Sequence, residues 1–262
     1  MRTVVLLVLA SLFPPAIPRT SAPPAGAWRT LFGEKDVSEW RGFRRTAFPW
    51  NVWTVEGGAL KRKRTSSDVR QDLATKDTFS EFELEFEWRI SPGGNSGIKY
   101  LVRENRPSSW EQASYEFSRR DLIRRGKTKT EEFRTLSPAK LRYSPIGFEF
   151  QILDDSENPD ARNGRHHTTG ALYDLLPVTG NIDAPAGRFN RGRIISNGQR
   201  IQHWVNGVKV LEFDRDGIGL RKRIQESKFA KIPRFGKNAR GHITVQDHGD
   251  EVSFRRIRIR EL

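Results

Sequence analysis

Residues 79–90, FSEFELEFEWRI, alternate strictly: Phe82, Leu84, Phe86, Trp88 and Ile90 fall on one side, and Glu81, Glu83, Glu85, Glu87 and Arg89 on the other. Successive side chains of a strand point to opposite faces, so this period of two predicts a strand with one face in a core and one in water. Shorter runs predict strands at 97–102, 147–153, 169–175, 193–196, 200–205, 208–213, 242–247 and 252–259. Asn206-Gly207 joins two of them and predicts a hairpin, because a type I′ turn needs positive φ at both central residues. WTVEGGAL at 53–60 predicts another. The final run changes phase between Val252/Phe254 and Ile257/Ile259, which a bulge near Arg255-Arg256 would reconcile. Many short strands with turn residues between them predict a β-sandwich. Two stretches break the pattern: Leu220–Phe229 reads as one short surface helix, and the polar, Arg- and Glu-rich segment Arg103–Tyr143 as an insertion or lid.

The N-terminus follows a different rule. Arg2 precedes an apolar run from Val4 to Phe13, then several prolines and the small-residue triplet Ala25-Gly26-Ala27. That is the layout of a secretory signal peptide, and the run falls short of the roughly 20 residues a membrane-spanning helix needs. The expectation is a signal and Pro-rich segment over 1–27, one domain over 28–262, and a secreted or periplasmic protein with no membrane span in the mature chain. With 262 residues, 7 Trp and 16 Phe, the chain has ample material for a core. The absence of Cys excludes disulfides, thiolate metal sites and a Cys nucleophile. The formal charge of +14 first suggests a nucleic-acid partner. Export argues against one. So does the absence of aromatic residues interleaved with the basic runs Lys61–Arg64 and Arg119/Arg120/Arg124/Arg125/Lys127. No nucleic-acid role is expected.

Candidate chemistry collects on a few strands. In GFEFQILDD, Phe148, Phe150 and Ile152 share one face and leave Glu149 and Gln151 on the other; in GHITVQDHGD, Ile243 and Val245 leave His242, Thr244, Gln246 and His248 opposite. Carboxylate and imidazole groups serve as general base and acid, and amides grip hydroxyls. A solvated sheet face would present the same pattern. In GGNSGIKY, Gly97 and Lys99 lie opposite Ile98, Tyr100 and Val102, and the glycine either admits a ligand or marks a bulge. His166 and His167 sit in a polar loop, and with Asp154, Asp247 or Glu149 they are candidates for a nitrogen/oxygen metal site. The row Glu83, Glu85, Glu87 resembles the alternating carboxylates of laminarinase-type glycoside hydrolases. It lacks their spacing and reads as a solvated outer face.

The motifs WRTLFGEKDVSEWRG, WTVEGGAL, FELEFEWRI, GGNSGIKY, GFEFQILDD, HHTTGALYDL, HWVNGVKV and GHITVQDHGDEVSFRRIRIREL occur in this order from Trp28 to Leu262. As an ordered set they closely resemble the bacterial 3-keto-disaccharide (3-keto-glycoside) hydrolase domain family. The resemblance implies a concanavalin A-like jelly-roll β-sandwich with a sugar-binding sheet, acting on 3-keto sugars. It implies Glu149, His248 and His167 as catalytic candidates and Asn95, Lys99, Gln151, Tyr173, Gln246 and Trp204 as substrate-binding ones. A divalent metal is compatible but not required, with His166, Asp154 and Asp247 as candidate ligands. A separate sugar 3-oxidoreductase would supply the substrate. The rivals are a lectin-like binding module on the same fold and a conventional glycoside hydrolase. One departure is local: where the family commonly has Phe-Arg-Asn-Ile, this chain has Phe254-Arg255-Arg256-Ile257.

Overall fold

The computed structural model describes residues 26–63, 70–104, 126, 145–232 and 234–262. The signal-like segment up to residue 25 and nearly all of the expected insertion therefore lie outside the described residues. The described residues form thirteen strands: β1 (Arg29–Phe32), β2 (Trp40–Gly42), β3 (Trp53–Glu56), β4 (Ala59–Arg62), β5 (Leu73–Thr75), β6 (Phe82–Ile90), β7 (Asn95–Arg103), β8 (Ile146–Leu153), β9 (Asn190–Asn197), β10 (Arg200–Val205), β11 (Val208–Asp214), β12 (His242–Val245) and β13 (Val252–Glu261). Among the described residues an α-helix, α1 (Ile218–Glu226), follows β11. An eight-stranded sheet runs β11-β10-β9-β6-β13-β4-β3, with β1 added beside β13, and a five-stranded sheet runs β2-β5-β12-β7-β8. All the strand pairs are antiparallel, and the two sheets pack face to face as a jelly-roll sandwich.

The alternation of β6 buries Phe82, Leu84, Phe86, Trp88 and Ile90 against Ile98, Tyr100, Phe148, Phe150 and Ile152 of the opposing sheet. Phe86 and Trp88 both meet Phe150 edge to face, with ring centroids 5.4 and 6.0 Å apart. One polar link crosses this core. The Tyr100 hydroxyl lies 2.8 Å from His203 Nε2, and His203 Nδ1 lies 2.8 Å from the Gly170 carbonyl. A carbonyl only accepts, so Nδ1 carries the proton and Nε2 accepts from tyrosine. Burial pulls His203 down to about 4, against the opposite influence of the Gly170 carbonyl, and keeps it neutral.

Both predicted tight turns form. Asn206 (φ 49°) and Gly207 (φ 87°) close β10–β11, and Gly57 (φ 58°) and Gly58 (φ 72°) close β3–β4. The expected bulge in β13 is present as a register shift between Arg255 and Arg258. Arg256 occupies it at φ 51°, a left-handed conformation that Asn adopts more readily than Arg. Two expectations need correction. Residues 169–175 make only isolated bridges at Leu172, because Asp174 turns left-handed at φ 62° and the segment loops back on itself. The Glu row of β6 is not a solvated face: Glu83 and Glu87 are buried beneath arginines of β9 and β13.

Candidate active site

Register places the site. Thr244 pairs with Ala74 and Lys99, and Lys99 pairs with Glu149, so Ala74–Thr244–Lys99–Glu149 forms one row across the outer face of the five-stranded sheet. Two residues along each strand, Gly97 pairs with Gln151 and accepts a hydrogen bond at its carbonyl from the Gln246 amide. The pleat brings Asp72 to the same face, on the other side of Leu73. A third row begins with Asn95, whose amide donates to Asp250 at 3.0 Å. Glu149, Lys99, Gln151 and Asn95 are all buried, although they face away from the sandwich core.

Lys99 Nζ lies 3.5 Å from Glu149 Oε2. Gly97 explains how the pair fits: a Cβ there would stand 2.5 Å from Glu149 Oε1, so the missing side chain is the space into which the carboxylate leans. Asp72 was not singled out by sequence, because three residues of β5 are too few to display a period. Burial pushes its carboxyl up to about 6, opposed by Lys99 and the Asp247 amide, while the Asp247 and Glu149 carboxylates push with burial. Thr244 Oγ1 and Gln246 Oε1 are buried without hydrogen-bond partners among the described residues, which leaves acceptor capacity on the face.

The loop after β8 supplies the other wall. Gly170 and Tyr173 donate their amides to the carbonyls of Gln151 and Glu149, fastening this segment along the edge of β8. Tyr173 is raised above the usual phenol range, first by burial and then by Asp160, Glu149 and Asp174, so it remains a protonated donor. His167 packs edge-on against Tyr173, with Nδ1 3.0 Å from Asp160 and Nε2 3.2 Å from Asp174. Both ring nitrogens thus face carboxylates, which suits a positioning role as well as a catalytic one. Burial and then His167 lower His166.

His166, His167 and Asp174 bring ligand atoms within 4.8 Å of one another, a geometry a divalent ion can use. Such an ion would have to displace a carboxylate contact of His167. The other two metal candidates are committed elsewhere. Asp247 receives Arg62 Nε at 2.8 Å and the amides of Gln71 and Gly249, and Asp154 receives the amide of Gly93 and both the amide and hydroxyl of Ser156. They anchor loops. His248 is exposed at the rim, 3.7 Å from Asp250. Trp204 does not join this face: it stands on the outer surface of the eight-stranded sheet, because His203 takes the inward position of β10.

Comparison with known proteins agrees with this architecture. A curated 3-keto-disaccharide hydrolase from Bacteroides thetaiotaomicron is 31% identical over 255 residues, covering 91% of this chain and 79% of that protein. A structure named a "putative glycosyl hydrolase" from Parabacteroides distasonis superposes with a TM-score of 0.70 at 23% identity, over 90% of this chain and 94% of the other. A second structure of the same description and organism gives 0.61 at 22% identity, over 90% and 100% of the two chains. These two speak to the fold. The 3-keto-alpha-glucoside-1,2-lyase-like domain matches residues 27–260, nearly the whole described chain, and the chain belongs to that family.

Proposed function

We propose that this protein cleaves 3-keto-glycosides, by removing the proton from C2 and eliminating the C1 aglycone before water adds. The observation that supports this most is the buried Lys99–Glu149 pair with a protonated Tyr173 alongside, a base beside donors suited to an oxyanion. A ketone at C3 acidifies the C2–H bond, because the electron pair left behind delocalises onto O3. Glu149 takes that proton. Lys99 and Tyr173 donate hydrogen bonds to O3 as its negative charge develops, the electrostatic contribution that such sites use most. When the enolate collapses, C3=O reforms, a C1=C2 double bond forms and the C1–O bond breaks. Asp72, with its raised pKa, gives its proton to the departing oxygen. Water then adds hydroxyl to C1 and a proton to C2, for net hydrolysis. Gln151, Gln246 and Asn95 line the face as hydroxyl partners, and His167 holds Tyr173 in place.

The signal-like N-terminus supports export, so the enzyme would meet its substrate outside the cytoplasm, after an oxidation at C3 catalysed by another protein. One observation favours a conventional glycosidase instead: Asp72 and Glu149 are two carboxylates on one face, the minimum such an enzyme needs. Turnover in D2O separates the two. Elimination and hydration place deuterium on C2 of the released sugar, whereas direct displacement at C1 leaves C2–H intact.

A further inference from the structure

The Glu row of β6 belongs to a second surface, on the far side of the sandwich from Lys99 and Glu149. A groove of about 930 Å³ crosses the eight-stranded sheet there, between Trp204 on one side and Phe32 on the other. Gly192 gives it depth: a Cβ would stand 2.2 Å from the Phe86 ring, so no side chain rises from that point of β9. The charge on this sheet face, in and beside the groove, is layered. Glu83 pairs with Arg193 and Arg260, Glu85 with Arg258, and Glu87 with Arg255 and Arg256 at 2.7 and 3.1 Å, with Arg191 at 3.8 Å. Three carboxylates thus lie under six guanidinium groups. The carboxylates are at most 31% exposed, whereas Arg191 and Arg256 are 78% and 69% exposed. Burial pushes Glu87 up, but Arg255 and Arg256 together hold it below the usual carboxylate range, so Glu87 stays ionised and keeps the two guanidinium groups paired with it.

Two further features distinguish this face from a plain charged surface. Arg255 stacks over Phe189 at 3.7 Å and Arg193 over Trp204 at 5.4 Å, which orients both planar forks before any ligand arrives. Arg256 is held at φ 51° by the β13 bulge, a conformation costly for a long side chain, and its guanidinium lines the groove. Guanidinium forks match carboxylates in pairs, and an open cleft across several strands accepts an extended chain rather than a single ion.

We propose that this groove is a second carbohydrate site, separate from the active face, that binds an acidic oligosaccharide chain through its uronate carboxylates. The sugar character of the ligand rests on the proposed function; the preference for carboxylates rests on the groove alone. The site would hold the enzyme on an acidic polysaccharide while the opposite sheet works on released glycosides.

The test is calorimetric titration of the full-length protein with tetragalacturonate, its carboxyl-reduced neutral counterpart and a poly-glutamate of equal charge. Turnover of a 3-keto-glucoside is followed in parallel. Arg191→Gln and Arg256→Asn are the variants, the second chosen because Asn accepts the left-handed backbone. Expected are binding of tetragalacturonate only, at least about a tenfold loss of affinity in each variant, the worth of one charge-assisted hydrogen bond, and turnover equal to the parent. No binding, binding undiminished in both variants, or equal binding of poly-glutamate overturns the proposal, the last by making the groove a site for an acidic protein. Failure of turnover with binding intact would count against the catalytic reading and leave this one standing.

Discussion

The two outward faces of the sandwich carry the same kinds of residue and use them oppositely. On the eight-stranded sheet every glutamate of the β6 row is matched by arginine, and the exposed layer is cationic. On the five-stranded sheet Lys99 pairs with Glu149 and also attracts Asp72, whose carboxyl burial nevertheless pushes up to about 6. Saturated carboxylates have no reason to take up a proton, so the first face is suited to holding charge. A carboxyl raised to about 6 beside a buried lysine–carboxylate pair is suited to moving protons. Carboxylate spacing along a strand therefore says less about reactivity than the count of cations opposite it.

The largest expected effect separates the faces directly. Glu149→Gln should lower kcat on a 3-keto-glycoside by about 10³-fold, within the range of general base catalysis, while circular dichroism shows an intact fold. Next, Asp72→Asn should cost about 10²-fold for an alkyl aglycone, whose oxygen needs a proton, and much less for a nitrophenyl aglycone, which leaves without one. The parent's rate on alkyl substrates should fall as pH rises through about 6, and that limb should vanish in the variant. Equal losses on both aglycones would remove Asp72 from the acid role.

Tyr100→Phe tests the core instead. It leaves His203 Nε2 buried without its donor and should cost about 1–3 kcal/mol in denaturant unfolding. His203 also sets a pH limit. Its folded pKa of about 4 lies below the unfolded 6.5, so the unfolded chain takes up the proton first. The stabilisation is complete above pH 6.5 and falls by about 3 kcal/mol as pH drops toward 4. The smallest effect belongs to the ladder: Glu85→Gln, breaking a half-exposed pair with Arg258, should cost under about 1 kcal/mol and leave turnover unchanged.

Much of the architecture was legible because β6, β10, β11 and β13 are long enough to show period two and are bounded by strong turn signals such as Asn206-Gly207. β1, β2 and β5, of three or four residues each, were not; what defines them is pairing with distant partners. The site divides the same way. Glu149, Gln151, Lys99 and Gln246 followed from the faces of their strands. Asp72 did not, since only the β5–β12 register brings it beside Lys99. Trp204 shows the converse: the family resemblance implied a substrate-binding role, but strand parity sends His203 into the core and Trp204 to the back groove.

The requirement for a C3 ketone is tested by a pair of assays on the purified protein, following aglycone release from a 3-keto-glucoside and from the same glucoside with an unoxidised C3 hydroxyl. Elimination through a C3 ketone requires rapid release from the keto substrate, none above background from the other, and loss of the keto activity in Glu149→Gln. Comparable release from the unoxidised glucoside, or none from the 3-keto form, would contradict it.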